Sequence, residues 1–107
     1  MERQDVLPGT LDLLVLASLE SGAKHGYGVM EAIWERSGEL FRVEEGALYP
    51  ALHRLEVKGW LVAEWGLSEA NRKAKYYKLS AAGRKRLQQE REEWKRVALG
   101  MGRFVEL

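Results

Sequence analysis

Residues 44 to 56 read EEGALYPALHRLE, and they bring together a phenol hydroxyl on Tyr49, an imidazole on His53 and a guanidinium on Arg54. Side chains of these types reach phosphate oxygens and the edges of bases. Arg54 carries the fork that pairs bidentately with guanine, and Tyr49 suits a phosphate or a thymine methyl. Their spacing is helical. Leu48, Leu52 and Leu55 recur at i, i+4 and i+7 and mark a face to be buried. Gly46, Pro50, His53 and Val57 project roughly opposite, with Tyr49 and Arg54 on the flanks. Ala47, Tyr49, Pro50, His53 and Arg54 form the candidate contact set. Pro50 removes a backbone N–H and is expected to bend the first turns, which is tolerable where a rigid ring is wanted against another surface. The same polar side can also simply face water, and this stretch alone weighs the two readings evenly.

A second candidate set lies in the run NRKAKYYKL, where Asn71, Arg72, Lys73 and Lys75 have no acidic neighbour closer than Glu69. The formal net charge is only +1, but the charges are segregated. Residues 1 to 71 hold six Lys or Arg against twelve Asp or Glu, a balance of −6, and residues 72 to 96 hold ten against three, a balance of +7. Such asymmetry makes a stripe for a polyanion, a solvated helix face being its other common source.

Catalysis has no visible support. An enzyme needs a nucleophile with its base, paired carboxylates or a metal cluster. The chain has no cysteine, and its only histidines, His25 and His53, form no HxxxH pair. The GYG after His25 is too short for a phosphate-binding loop. No catalytic residue, metal ligand or cofactor is expected. His25 opens a helix and reads first as a local hydrogen-bonding residue, and with Tyr27 it is a lesser candidate for a phosphate contact.

These residues must be positioned by one small domain, since 107 residues bury a single modest core. With 46% hydrophobic and 31% charged residues the chain is ordinary for a globular protein. No apolar run approaches the roughly 18 residues of a membrane span, and the start MERQD is no secretion signal. A cytoplasmic protein is expected, with no membrane partner. The segment LPGTLDLLVLASLESG predicts a first helix whose stripe Leu11, Leu14, Val15 and Leu19 is joined by Leu13, Leu16 and Ala17 on much of the remaining surface. A helix apolar nearly all round needs a second burial partner. A second helix spans HGYGVMEAIWERSG, a short extended piece covers 40 to 43, and the helix 44 to 58 stops at Gly59. Residues 60 to 65 and 75 to 79 read as strands joined by a long polar hairpin loop, and Ser80 caps a final helix to about residue 104.

Three helices followed by a two-stranded hairpin make a winged helix-turn-helix, a mainly α (α+β) fold. Its third helix is the one that enters a DNA major groove, and its hairpin wing lies against the backbone. Residues 1 to 80 form this unit, and 81 to 107 add a helix to the same compact body. In that helix Leu87, Trp94 and Met101 are spaced by seven, as are Val97 and Phe104. This interrupted heptad stripe suits another helix. Together with Leu13 and Leu16 it is the expected dimer interface, although the stripe can also fold back on its own domain. Trp94 has two readings, a dimer-core residue and a stacking surface for a small aromatic or hydrophobic effector.

The stretches LPGTLDLLVL, HGYGV, GALYPALHRLE, GWL and NRKAKYYKLSAAG together resemble the PadR family of bacterial winged-helix transcriptional regulators, from Leu7 to about Phe104. The likeness is greatest to its short members, common in acidobacterial-type genomes, with one helix after the wing. It implies a homodimeric repressor on an inverted-repeat operator, with residues 45 to 58 as recognition helix and 60 to 79 as wing. Family members often carry Ser-Pro or a similar pair where this chain has Glu44-Glu45. Two carboxylates there suit the helix dipole but repel a phosphate approaching that end. A winged-helix module that binds protein rather than DNA is the competing reading, favoured by Glu44, Glu45 and Glu56 beside only Arg54 and Lys58.

Overall fold

Capping and side-chain burial set the element boundaries in the computed structural model, which describes residues 9–106. The start MERQD, Leu7 and Pro8 lie outside the described residues. The order is α1 (Thr10–Ser18), β1 (Lys24–His25), α2 (Gly26–Arg36), α3 (Glu45–Val57), β2 (Leu61–Leu67), β3 (Lys73–Leu79) and α4 (Ala81–Val105). His25 caps α2, its Nδ1 accepting the Gly28 N–H at 3.0 Å, so the imidazole satisfies one of the donors a helix start leaves open. Ser80 caps α4 as expected: its Oγ accepts from the Gly83 N–H at 3.0 Å and donates to the Gly59 carbonyl at 2.6 Å.

The core gathers one stripe from each helix and from the β2–β3 hairpin. Val15, Leu16 and Leu19 of α1 meet Val29 and Ile33 of α2, Leu48, Leu52 and Leu55 of α3, Leu61, Tyr77 and Leu79 of the hairpin, and Leu87 of α4. Each such side chain stabilises the fold by roughly 1.5–3 kcal/mol on burial. Leu16 and Leu87, expected at a subunit interface, are 0% and 1% exposed within one chain. They have no surface left to offer a partner and belong to the core. Leu13 is half-buried and packs on the edge of that core.

The sheet is antiparallel with β3 between β1 and β2. Among the described residues the piece expected at 40–43 adds no strand to it, Phe41 alone making a single bridge. There the Phe41 N–H is taken by the Ser37 hydroxyl at 2.9 Å, and its ring packs against the core. The third strand is Lys24–His25, too short to show any alternation in sequence. The hairpin strands run further than predicted and leave only 68–72 as the loop. Gly66 stays in the ladder because the Tyr76 ring lies over it, with the Tyr76 hydroxyl donating to the Leu67 carbonyl at 2.9 Å.

Two close contacts lock the wing root. The Ser80 N–H donates to the Trp60 carbonyl at 3.1 Å, and Gly83 presses so near that carbonyl that a methyl group there would overlap its oxygen. The middle of α4 is held by Arg91, whose guanidinium grips Glu20 past the end of α1 at 2.8 and 2.6 Å. That bidentate pair holds the Glu20 carboxyl below its ordinary range. Beyond Arg91 the helix leaves the body, and Trp94, Val97, Met101 and Phe104 stand exposed, Phe104 at 89%.

Candidate nucleic-acid interface

Leu48, Ala51, Leu52 and Leu55 anchor α3, turning Gly46, Ala47, Tyr49, Pro50, His53 and Val57 to the surface. Pro50 sits inside an uninterrupted α-helix. Having no N–H, it leaves the carbonyl of Gly46 without the bond a helix would give it. Glu44 is the N-cap residue and makes no side-chain cap bond, and its carboxylate pairs with Arg42 at 3.3 Å. One of the two carboxylates at this helix start is thus screened.

Tyr49 does not swing freely. Its ring lies over Gly26 at the start of α2, where an added Cβ would come within 2.6–2.8 Å of the phenol. The glycine of HGYG and the tyrosine of GALYP are therefore one contact, and it sets how α3 leans on α2. Arg54 is drawn aside, its Nη2 donating to Asp12 Oδ1 on α1 at 2.5 Å. His53 and Pro50 remain on the outer ridge.

The wing set divides as well. Lys75 reaches back to Glu56 of α3 at 3.1 Å, which holds its ammonium above the ordinary range. Burial pushes the Tyr77 phenol up beneath it. Arg72 and Lys73 are exposed and make no ion pair among the described residues. Lys73 lies 5.3 Å over the Trp65 ring. Asn71, with φ 59, takes the left-handed turn at the hairpin tip, where its N–H donates to the Ser68 carbonyl at 2.9 Å. A short polar side chain tolerates that conformation. His25 packs edge-on to Tyr76 at 5.3 Å, and Tyr27 stands exposed beside it.

Trp65 is the residue that sequence reasoning missed. The alternation Leu61, Ala63, Trp65, Leu67 puts it on the core-facing side of β2, but beyond the edge of the core, so it is 63% exposed. The alternation was readable, whereas the place where the core ends was not.

A trihelical unit whose third helix presents one ridge outward beside a β-hairpin defines the winged helix-turn-helix class. Residues 15–89 match the Transcriptional regulator PadR-like family. The chain is 30% identical over 106 residues to a protein of Lysinibacillus sphaericus, covering 99% of this chain and 97% of that one. It is 42% identical over 69 residues to a transcriptional regulator of Mycobacterium tuberculosis, covering 62% and 64% of the two chains. In structure it is similar to a transcriptional regulator from Clostridium thermocellum, with TM-score 0.81 and 31% identity over 91% of this chain and 94% of that one. A PadR family transcription regulator from Clostridium difficile superposes with TM-score 0.78 and 29% identity over 91% and 99%. The chain belongs to the PadR family of transcriptional regulators. The family and the structural neighbours are transcription regulators rather than enzymes. No described helix is long and apolar enough to cross a membrane.

Proposed function

We propose that the protein is a cytoplasmic homodimeric repressor that binds an inverted-repeat operator in double-stranded DNA. The recognition helix, residues 45–58, enters the major groove and the wing, residues 60–79, follows the backbone. The observation that supports this best is the outward ridge Ala47, Tyr49, Pro50 and His53 beside a wing whose Arg72 and Lys73 carry no internal counter-ion. Tyr49 and His53 contact bases or phosphates, Arg54 reads a base on leaving Asp12, and Lys75 joins Arg72 and Lys73 at the backbone. Asn71 shapes the tip, and His25 and Tyr27 lie where a second phosphate contact is in reach. The dimer is built by Trp94, Val97, Met101 and Phe104, with Leu13 at its margin. These exposed apolar groups of α4 need a cover, and a second copy of the same stripe supplies one. Trp94 there also offers its indole to a small aromatic or hydrophobic effector.

A second reading, a module that binds protein instead of DNA, is favoured by one observation: Arg54 and Lys75 are both already paired with carboxylates. One experiment separates the two. The full chain and a chain ending at Glu93, which keeps Leu87 and the Glu20–Arg91 pair, are compared by light scattering. Both are then run in mobility shifts on DNA from upstream of the protein's own gene, at two salt concentrations. The full chain should be a dimer that shifts the DNA more strongly at low salt, and the shortened chain a monomer with far weaker binding. A full chain that shifts no DNA at either salt excludes the repressor, and a shortened chain that stays a clean dimer excludes the α4 interface.

A further inference from the structure

The inner face of the wing continues past the core as an apolar surface. Along β2, Leu61 is buried and Ala63 half-buried, after which Trp65 and Leu67 emerge at 63% and 66% exposure. All four share one face, and their partners across the ladder are Leu79, Tyr77, Lys75 and Lys73. The direction of that face is fixed by Lys75, which stands opposite Trp65 and bonds Glu56 of α3 at 3.1 Å. Trp65 and Leu67 are thus on the side of the wing that looks toward the recognition helix. Single exposed apolar residues need no explanation, but two large ones in succession, bordered by cations, mark a contact surface.

We propose that Trp65, with Leu67 beside it, is an apolar contact of the wing with the sugar edges of a DNA minor groove, flanked on its own face by Lys73 and Lys75 across the ladder. This rests on the reading of the protein as a DNA-binding regulator. The occupant follows from charge. A minor groove offers apolar sugar C–H surface between two rows of phosphates, and apolar side chains with flanking cations are its complement. A second copy of this chain would set the unpaired Lys73 of this face against its own copy. Lys73, 5.3 Å over the Trp65 ring, steadies the indole on one side and leaves the rest of the ring for the groove.

An apolar contact and a phosphate contact differ in their response to salt, because only a charge releases counter-ions. The test measures binding of the full chain to a duplex from upstream of its own gene and to a random duplex, by fluorescence anisotropy over a salt series. Trp65→Ala should weaken binding about tenfold, a loss within reach of one apolar contact, with the slope of affinity against salt unchanged. Trp65→Phe should retain most of the affinity, and Arg72→Ala with Lys73→Ala should flatten the slope. Melting curves check that each variant is folded, and the exposed position of Trp65 makes that the expected result. Trp65→Ala binding as well as the parent overturns the proposal. So does a Trp65→Ala slope as flat as that of the cation variant, which would make the indole only a support for Lys73. A parent that binds neither duplex defeats the DNA-binding reading itself, a result distinct from a silent Trp65 in a protein that binds.

Discussion

α3 and the wing are joined by the Lys75–Glu56 pair, yet they are built by opposite means. α3 is fixed by four buried side chains and by the Tyr49 ring over Gly26, and its neighbouring cations are drawn to carboxylates, Arg54 to Asp12 and Lys75 to Glu56. The wing is fixed at its root, by Leu61, Tyr77, Leu79, the Trp60 backbone and the pairing with β1, and its tip carries Arg72 and Lys73 with no ion pair among the described residues. The helix offers shape and directed hydrogen bonds, while the wing offers charge and an indole. Charges counted along the chain do not measure what a surface presents to a polyanion. Sequence discrimination should therefore reside in α3, and salt dependence in the wing.

The largest effect is expected at the wing root. Gly83→Ala drives a methyl group into the Trp60 carbonyl, a backbone atom that cannot step aside. Overpacking of this kind costs typically 1–3 kcal/mol and sometimes more, and about 3 kcal/mol is expected here from urea denaturation. Gly26→Ala should cost less, since its obstacle is the outer end of the half-exposed Tyr49 side chain. Equal stability of the Gly83 variant and the parent would show that the root is not fixed by this contact. Next comes Pro50→Ala. It restores the missing N–H in α3, and a proline in a helix interior is up to ~3 kcal/mol worse than alanine, so the variant should melt higher. If the rigid ring shapes the groove-facing ridge, the same variant should bind the operator less tightly. A variant more stable and equally tight would remove Pro50 from the interface and leave the outer ridge to Tyr49 and His53.

What the sequence made legible follows from the range of each signal. The α3 ridge and its stop at Gly59, and the Ser80 cap, are local patterns within a few residues, and both appear where expected. β1 is set by pairing with a strand far along the chain, so two residues alone could not announce it. Leu16 and Leu87 show why a helical wheel names a face but not its partner: an apolar stripe looks the same whether its cover is the same chain or another. Arg54 and Lys75 looked like free cations because Asp12 and Glu56 are distant in sequence and adjacent only in the fold.

The smallest expected effect is the sharpest probe of the contrast. Lys75 and Glu56 are each about one-third exposed at the side chain, so the pair itself stabilises the protein by only about 0–1 kcal/mol. Glu56→Gln should therefore hardly change the melting temperature. It does remove the carboxylate that neutralises Lys75 from the helix side. While Glu56 is present, a DNA phosphate meets an ammonium that already has a counter-charge, and its binding displaces few ions. With glutamine there, the same ammonium gathers solution counter-ions that DNA must release. Affinity at low salt should rise a few-fold, and the slope of log affinity against log salt should steepen by up to ~0.9, the value for one added phosphate contact. An unchanged slope means that Lys75 does not reach the backbone and that the wing's charge ends at Arg72 and Lys73. A fall in affinity reverses the assignment, because Glu56 would then be holding Lys75 in position for DNA rather than withholding it. The helix and the wing would then have to be treated as one charged surface.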